Sequence, residues 1–294
     1  MKKHRVIGIG EIVWDVFGSD MKKGGAPINF AYYCSQLGAD AGIISAVGDD
    51  VPGHKVLREL SAIGLDTSGV QINGYPTGKV IVSIDGSGVP AYDIQTGVAW
   101  DNMIFSEKDG SEARRADVVC WGSLAQRNKV SRNFISEFIA GLNADCLKVF
   151  DINLRQNYYC GSVVEDSIVK ADVLKMNEDE LPVVAEICGL KGDPDTVIKT
   201  LIRDFDLKYI IYTCGDKFSE VFSDKGEKSH VDTPKIRVAD TVGAGDSFTA
   251  AFVMGYLKKE PLSRIHMSAV KISSYVCSCA GAINPLPACW DIPD

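Results

Sequence analysis

The chain has 294 residues, 46% of them apolar and 24% charged, enough for the core of one large α/β domain or two small ones. Its 31 basic and 39 acidic side chains leave a formal net charge of −8. That balance argues against nucleic acid or an anionic membrane as a partner, but leaves room for an anionic substrate held by local basic groups.

The amino end, Met1-Lys2-Lys3-His4-Arg5, is basic, but Val6-Ile7-Gly8-Ile9-Gly10 is too short for a signal-peptide core before Glu11 interrupts it. Residues 4–10 read as a strand. Residues 25–37 read as a helix, with Pro27 near its start and Gly38 as its stop. A strand at 41–47 and a helix at 51–63, ended by Gly64, follow. Residues 75–100 break the alternation. There, strand-like runs at 78–84 and 90–95 flank Asp85-Gly86-Ser87-Gly88, a hairpin signal without helices. Residues 12–22 are expected to add a short strand beside them.

Beyond this break, strands are predicted at 117–122, 147–153, 172–176 and 208–214. Helices at 132–142, 178–188 and 195–205 lie between or after them, and an apolar helix follows Asp246. The β–α alternation predicts a single domain, 1–294, with a mainly parallel sheet and helices on both faces. The pieces at 12–22 and 75–100 are read as a small β lid over the carboxyl edge of that sheet. No run approaches the ~18 apolar residues of a membrane helix. The nine cysteines form no CxxC pair and no zinc set, and are read as reduced, mostly buried thiols of a cytoplasmic protein.

The most informative stretch is Asp240-Thr241-Val242-Gly243-Ala244-Gly245-Asp246-Ser247-Phe248. Backbone N–H groups of the small residues would point out of the first helical turn, where orphan donors and the helix dipole attract an anion. A carboxylate at Asp246 sits badly beside an anion unless it takes a proton from a hydroxyl that attacks phosphorus. The plainer alternative is a first-turn acid complementing the dipole.

This stretch resembles the C-terminal signature of the ribokinase-like (phosphofructokinase B) carbohydrate kinases. Gly24-Gly25-Ala26-Pro27-Ile28-Asn29-Phe30-Ala31, closing at Leu37-Gly38, resembles their N-terminal signature. With the motifs between, the resemblance covers essentially the whole chain. It implies a three-layer αβα sandwich whose lid shields the substrate and often joins subunits, here a homodimer. It also implies ATP and Mg²⁺, with Asp246 as the base and Gly243, Ala244 and Gly245 as the anion loop. Asp15, Gly24, Gly25 and Asn29 would line the sugar pocket. Asn177 and Glu180, with Lys175 at the head of their segment, would order Mg²⁺ and phosphates, largely through water. Thr213 and Gly215 match a nucleotide-contacting Thr-x-Gly. Asp240, and with it K⁺, would belong to a monovalent-cation site.

Each residue also has a local reading. Asp15 could be a solvated loop acid, and Asn29 a polar residue of a helix start with local bonds. Asn177 and Glu180 fit a capping arrangement, and Asp240 fits plain turn chemistry. Gly8-Ile9-Gly10 lacks the third glycine of a dinucleotide fingerprint, since position 13 is Val13. In Phe150-Asp151-Ile152-Asn153-Leu154-Arg155, strand alternation would put Asp151, Asn153 and Arg155 on one face. Arg155 would neutralise phosphate or clamp the sugar. Phe218 stands where the family usually has glycine, which puts the local turn in question.

The expected activity is ATP-dependent phosphorylation of a primary sugar hydroxyl, with D-fructose as acceptor. That choice rests on Gly-Ala-Pro-x-Asn-Phe-Ala, Asp-x-Asn-x-Arg and Gly97-Val98-Ala99-Trp100-Asp101, which look most like those of fructokinases. A 2-keto-3-deoxygluconate, ribose or nucleoside kinase is the alternative, with Tyr92 and Trp100 as material for a base pocket. A sugar-binding protein without catalysis is the rival from another class.

Overall fold

The computed structural model describes residues 3–84 and 90–287. In chain order it contains β1 (Arg5–Ile9), β2 (Val13–Phe17), β3 (Asp20–Gly24), α1 (Ala26–Gln36), β4 (Asp40–Gly48), α2 (Val51–Ala62) and β5 (Asp66–Asn73). Next come β6 (Gly78–Ile84), β7 (Pro90–Ile94), α3 (Glu107–Ala113), β8 (Val118–Trp121), α4 (Lys129–Ala140), β9 (Leu147–Asp151), α5 (Gly161–Lys170) and β10 (Val173–Asn177). The chain continues through α6 (Glu180–Ile187), α7 (Pro194–Phe205), β11 (Tyr209–Cys214), β12 (Phe218–Ser223), β13 (Lys228–Asp232), α8 (Ala244–Leu257) and α9 (Leu262–Cys277).

Nine strands form the main sheet in the order β13-β12-β11-β10-β9-β8-β1-β4-β5. All pair in parallel except β12 and β13, which append an antiparallel edge. Successive strand residues point to opposite faces, and the core divides accordingly. Ile7, Ile9, Val119, Trp121, Phe150, Leu174 and Ile210 pack on one face with Phe134 and Phe138 of α4, Ile168 of α5 and Leu201 of α7. Val6, Ile43, Val118, Val149, Val173 and Ile211 pack on the other with α1, α8 and α9. Buried on both faces, these parallel strands are near-continuous apolar runs. The result is the expected ribokinase-like αβα sandwich.

The lid is a four-stranded sheet, β3-β2-β6-β7. Residues 12–22 supply two of its strands rather than the single one expected, because Gly18 turns the chain at φ 59°. The hairpin turn at 85–88 lies outside the described residues. Cross-strand pairs Asp15↔Val80, Val80↔Ile94 and Val82↔Tyr92 put Asp15 and Tyr92 on one face. Val80, Val82 and Ile94 carry that face into the core.

Two local expectations fail. β9 ends at Asp151, and Asn153 takes a left-handed φ of 43°, so strand alternation does not extend to Asn153 and Arg155. Phe218 needs no special backbone: it opens β12 and stacks on His230 at 5.0 Å, while Gly215 takes the left-handed turn at φ 51°. The eight described cysteines are free, and four of them are buried. Among the described residues no helix is long and apolar enough to cross a membrane.

Candidate active site

The site lies where β1, β9, β10 and β11 deliver their carboxyl ends, the usual ligand edge of a parallel sheet. Each polar group there has an identifiable anchor. Glu11 follows β1 and is 5% exposed. Its Oε1 accepts the Ala26 N–H at 3.2 Å, which holds the start of α1. Gly25 precedes that start at φ 126°, and a Cβ there would meet the Glu11 carbonyl oxygen at 2.3 Å. A Cβ at Gly24 would meet Asp15 Oδ2 at 2.6 Å. Gly25 is therefore set by close backbone approach, and Gly24 leaves space for the Asp15 carboxylate beside the α1 start.

From α1, the buried Asn29 donates through Nδ2 to Asp246 Oδ2 at 2.8 Å, and its Oδ1 has no protein partner. Asn29 is thus no local helix-start residue; it bridges to the other end of the chain. Asp246 lies in the first turn of α8, whose N-cap Gly243 has φ 81° and no capping side chain. A Cβ at Gly243 would meet Ala282 at 3.0 Å. With no capping side chain, the first turn offers backbone N–H donors to an anion, although Ala244 N–H already donates to Thr241 O at 3.3 Å.

Desolvation pushes the Asp246 carboxyl up to about 6, and the nearby Asp151 adds to the rise, while Asn29, Lys175 and Arg155 oppose it. Burial pushes Glu11 up to about 7. Both acids line one small cavity with Ala26, Pro27, Trp121 and Asp151. A larger cavity, around Arg5, Arg114 and Arg115, lies at the amino edge of the sheet, away from these groups.

Under the loop, Lys175 Nζ pairs with Asp151 Oδ1 at 3.1 Å, both side chains being buried. Asp151 Oδ2 accepts from Thr249 Oγ1 at 3.2 Å. A Cβ at Gly245 would come within 2.9 Å of Lys175 Nζ. The buried cation therefore stands directly against the glycine loop.

At the end of β10 and just beyond it, Asn177 and Glu180 form a reciprocal cap. Glu180 Oε2 accepts from Asn177 N, and Asn177 Oδ1 accepts from Glu180 N, both at 2.9 Å. Glu180 Oε1 accepts from Leu154 N at 2.9 Å. With each carboxylate oxygen already holding a backbone N–H, Glu180 suits contact with a hydrated cation better than direct ligation. Thr213 pairs in register with Asn177 on β11, and Gly215 lies exposed in the turn beyond it.

Asp240 ties the segment before α8 to Gly281. Its Oδ1 accepts from Val242 N and its Oδ2 from Gly281 N, each at 3.1 Å. Any monovalent cation would share these occupied oxygens. Among the described residues no group of three or more His, Cys, Asp or Glu side chains could hold a metal ion.

Arg155 is exposed, and its charge pulls the carboxyls of Glu11, Asp15 and Asp246 downward. Asn153 is half-buried, and its carbonyl oxygen lies 3.4 Å from Ser123 Oγ. Trp100 is fully buried and cannot cover a ligand; Tyr92 is 52% exposed on the Asp15 face of the lid. Asp101 is consumed by Arg127, 2.8 Å away.

The family model for the pfkB family carbohydrate kinases matches residues 10–289. The chain belongs to that family. A curated relative, an uncharacterized sugar kinase of Pyrococcus horikoshii, is 30% identical over 283 residues, covering 89% of this chain and 86% of its own. Its crystal structure in complex with ATP superposes with a TM-score of 0.78 at 28% identity, over 95% of this chain and 94% of that one. The fold is also shared with an ATP-bound fructokinase of Xylella fastidiosa, at TM-score 0.84 and 19% identity over 97% and 96% of the two chains. The 2-dehydro-3-deoxygluconokinase of Thermotoga maritima matches equally, at TM-score 0.84 and 18% identity over 97% and 96%. As a pfkB-family sugar kinase, the protein is an ATP-binding phosphotransferase.

Glu11 and Thr249 carry much of the site's geometry but are not singled out as site residues by the sequence, whereas Asp151 is expected there at the exit of its strand. The usable signal at Glu11 is an acid two residues past a fully buried strand.

Proposed function

We propose that the protein transfers the γ-phosphoryl group of ATP to the primary hydroxyl of a neutral monosaccharide, D-fructose in first place. The observation that carries this reading is the desolvated Asp246 carboxyl, fixed by Asn29 at an uncapped helix start. Asp246 takes the proton from the hydroxyl as it attacks phosphorus. Backbone N–H groups over 243–246 stabilise charge on the transferring phosphoryl, with Lys175 close behind Gly245. Mg²⁺, carried on the ATP phosphates and facing Asn177 and Glu180 through its waters, would neutralise the phosphate charge.

Asp15, Gly24, Gly25 and Asn29 bind the sugar, Asn153 and Arg155 close the pocket, and Thr213 and Gly215 border the nucleotide. Asp240 stiffens the loop. The acids Glu11, Asp15 and Asp246 all lie within electrostatic reach of Arg155. Such a pocket suits hydroxyl donors better than an aldonate carboxylate. The exposed Arg155 is the one feature favouring 2-keto-3-deoxygluconate. The lid's exposed Phe17 and Ile81 fit a homodimer built through the lid.

ADP release with Mg-ATP across fructose, ribose, 2-keto-3-deoxygluconate, adenosine and tagatose tests the reading. The fastest turnover is expected on fructose. A faster rate on another acceptor moves the substrate within the family reading. No turnover, with tight sugar binding by calorimetry, replaces the kinase reading with a binding protein.

A further inference from the structure

The lid strand β7 is the free edge of its sheet. Gln95 N donates to Lys79 O at 3.0 Å, toward β6. By alternation, the carbonyls of Tyr92 and Ile94 face outward, away from β6, as unpaired edge acceptors. Both are taken up by one loop of the main body. Gln156 Nε2 donates to Tyr92 O, and Tyr158 Oη donates to Ile94 O at 3.1 Å. The two donors are two residues apart, as are the two acceptors.

A third clasp sits beside them. Arg127 donates through Nη2 to Gln95 O at 2.6 Å. Its guanidinium lies 4.1 Å from the Trp100 ring centre and 4.7 Å from that of Tyr158. Two outward edge carbonyls of β7, and a third carbonyl just past its end, are thus fastened to the body.

The fastened loop is the one that carries Arg155. Asn153 and Gln156, on either side of it, both hold left-handed φ values of 43° and 48° without being glycine. Backbone held in that region needs its surroundings to impose it. The two lid bonds and the Arg127 stack on Tyr158 are such surroundings.

We propose that Gln156 and Tyr158 are positioning residues: by docking the 153–158 loop on the free edge of β7, they fix Arg155 over the acceptor pocket and make lid and loop one unit. A displacement of β7 then displaces Arg155 relative to Asp246. Lid position and the charge facing the acceptor are set together. The inference rests on the substrate role given to Arg155 above.

A double-mutant cycle tests it, using whichever sugar of the panel turns over fastest. Tyr158→Phe removes only the hydroxyl and keeps the ring under Arg127; Gln156→Ala removes the other bond. The pair combined is expected to raise the sugar KM about tenfold while the ATP KM moves less than about twofold. In an Arg155→Ala background the same pair should change the sugar KM by less than about twofold. A full tenfold effect in that background, with Arg155→Ala itself impaired, overturns the coupling and leaves the kinase reading intact. An Arg155→Ala enzyme with unchanged sugar KM overturns both the coupling and the role of Arg155. Should the combined variant melt early, Tyr158→Phe alone gives the same cycle.

Discussion

Asn29 Nδ2 lies 2.8 Å from Asp246 Oδ2, and 217 positions of chain separate the two residues. The bond engages one Asp246 oxygen and leaves the other for the acceptor hydroxyl proposed above. It also fixes the rotamer of a carboxyl whose ionised form is disfavoured by burial. Asp246→Asn should lower kcat by about 10²–10⁴-fold, the usual span for a positioned general base. Sugar binding by calorimetry should be nearly unchanged. Because the folded protein raises this carboxyl to about 6, loss of its charge should also raise the melting temperature. Retention of most activity would sink Asp246 as the base.

The same elevation predicts the acid limb of activity. The base must be ionised to accept a proton, so kcat/KM should fall as pH drops through about 6. An ordinary aspartate would place that limb about two pH units lower. Rates measured between pH 5 and 8 at saturating Mg-ATP, varying sugar, decide the matter. A flat profile down to pH 5 contradicts the assignment.

Gly25 and Gly18 provide a matched pair. Both hold positive φ, but a Cβ at Gly18 meets nothing within 4 Å, whereas at Gly25 it meets Glu11 O at 2.3 Å. Gly18→Ala should cost roughly 1–2 kcal/mol, the left-handed penalty alone. Gly25→Ala should cost clearly more and weaken sugar affinity, since the α1 start must shift. Urea unfolding of the two variants, with sugar titrations, separates strain from collision.

Asp240 joins the anion loop to Gly281 through its two oxygens. Asp240→Ala frees the loop and should raise the ATP KM about tenfold, with a smaller effect on the sugar KM. Comparing initial rates in potassium and in sodium chloride, before and after the substitution, tells whether Asp240 also serves a cation. An unchanged ATP KM removes it as a loop anchor.

His266 is fully buried between Ser219 and Ser229, at 2.8 and 2.9 Å from their hydroxyls. Burial lowers it to about 4, so the folded protein holds it neutral. The unfolded chain protonates near 6.5. Its contribution to stability is therefore complete above about 6.5 and is lost as pH falls toward 4. Melting temperatures from pH 7.5 to 4.5 should fall less steeply in His266→Gln than in the parent.

Much of the architecture was legible because buried parallel strands and capped helices leave strong local patterns. Pro27, Gly38 and Gly64 mark ends that the structure keeps to within a residue or two. Strand β5 was missed because its half-exposed Asp66-Thr67-Ser68-Gly69 start has no apolar run. The edge strand β13 was missed for the same reason. In the site, the glycines and Asp246 stand out in the sequence through the two motifs that carry the family resemblance, since a glycine loop alone is as often a plain turn. Glu11 did not, since a carboxyl elevated by burial looks like any acid until its surroundings are known. The face shared by Asp151, Asn153 and Arg155 failed because alternation holds only as long as the strand does.

The α1–α8 layer has a consequence for how the chain is made. Ile28, Phe30 and Tyr33 of α1 are buried in the same apolar cluster as Phe248, Ala251 and Phe252 of α8. On the ribosome, α1 emerges long before that partner exists, so the part of its apolar face that meets α8, rather than β1 and β4, waits uncovered through most of synthesis. Late closure of non-local contacts is slow and exposes sticky surface. A nascent chain stalled before residue 244 should therefore bind holdase chaperones through α1, and release should coincide with the emergence of α8.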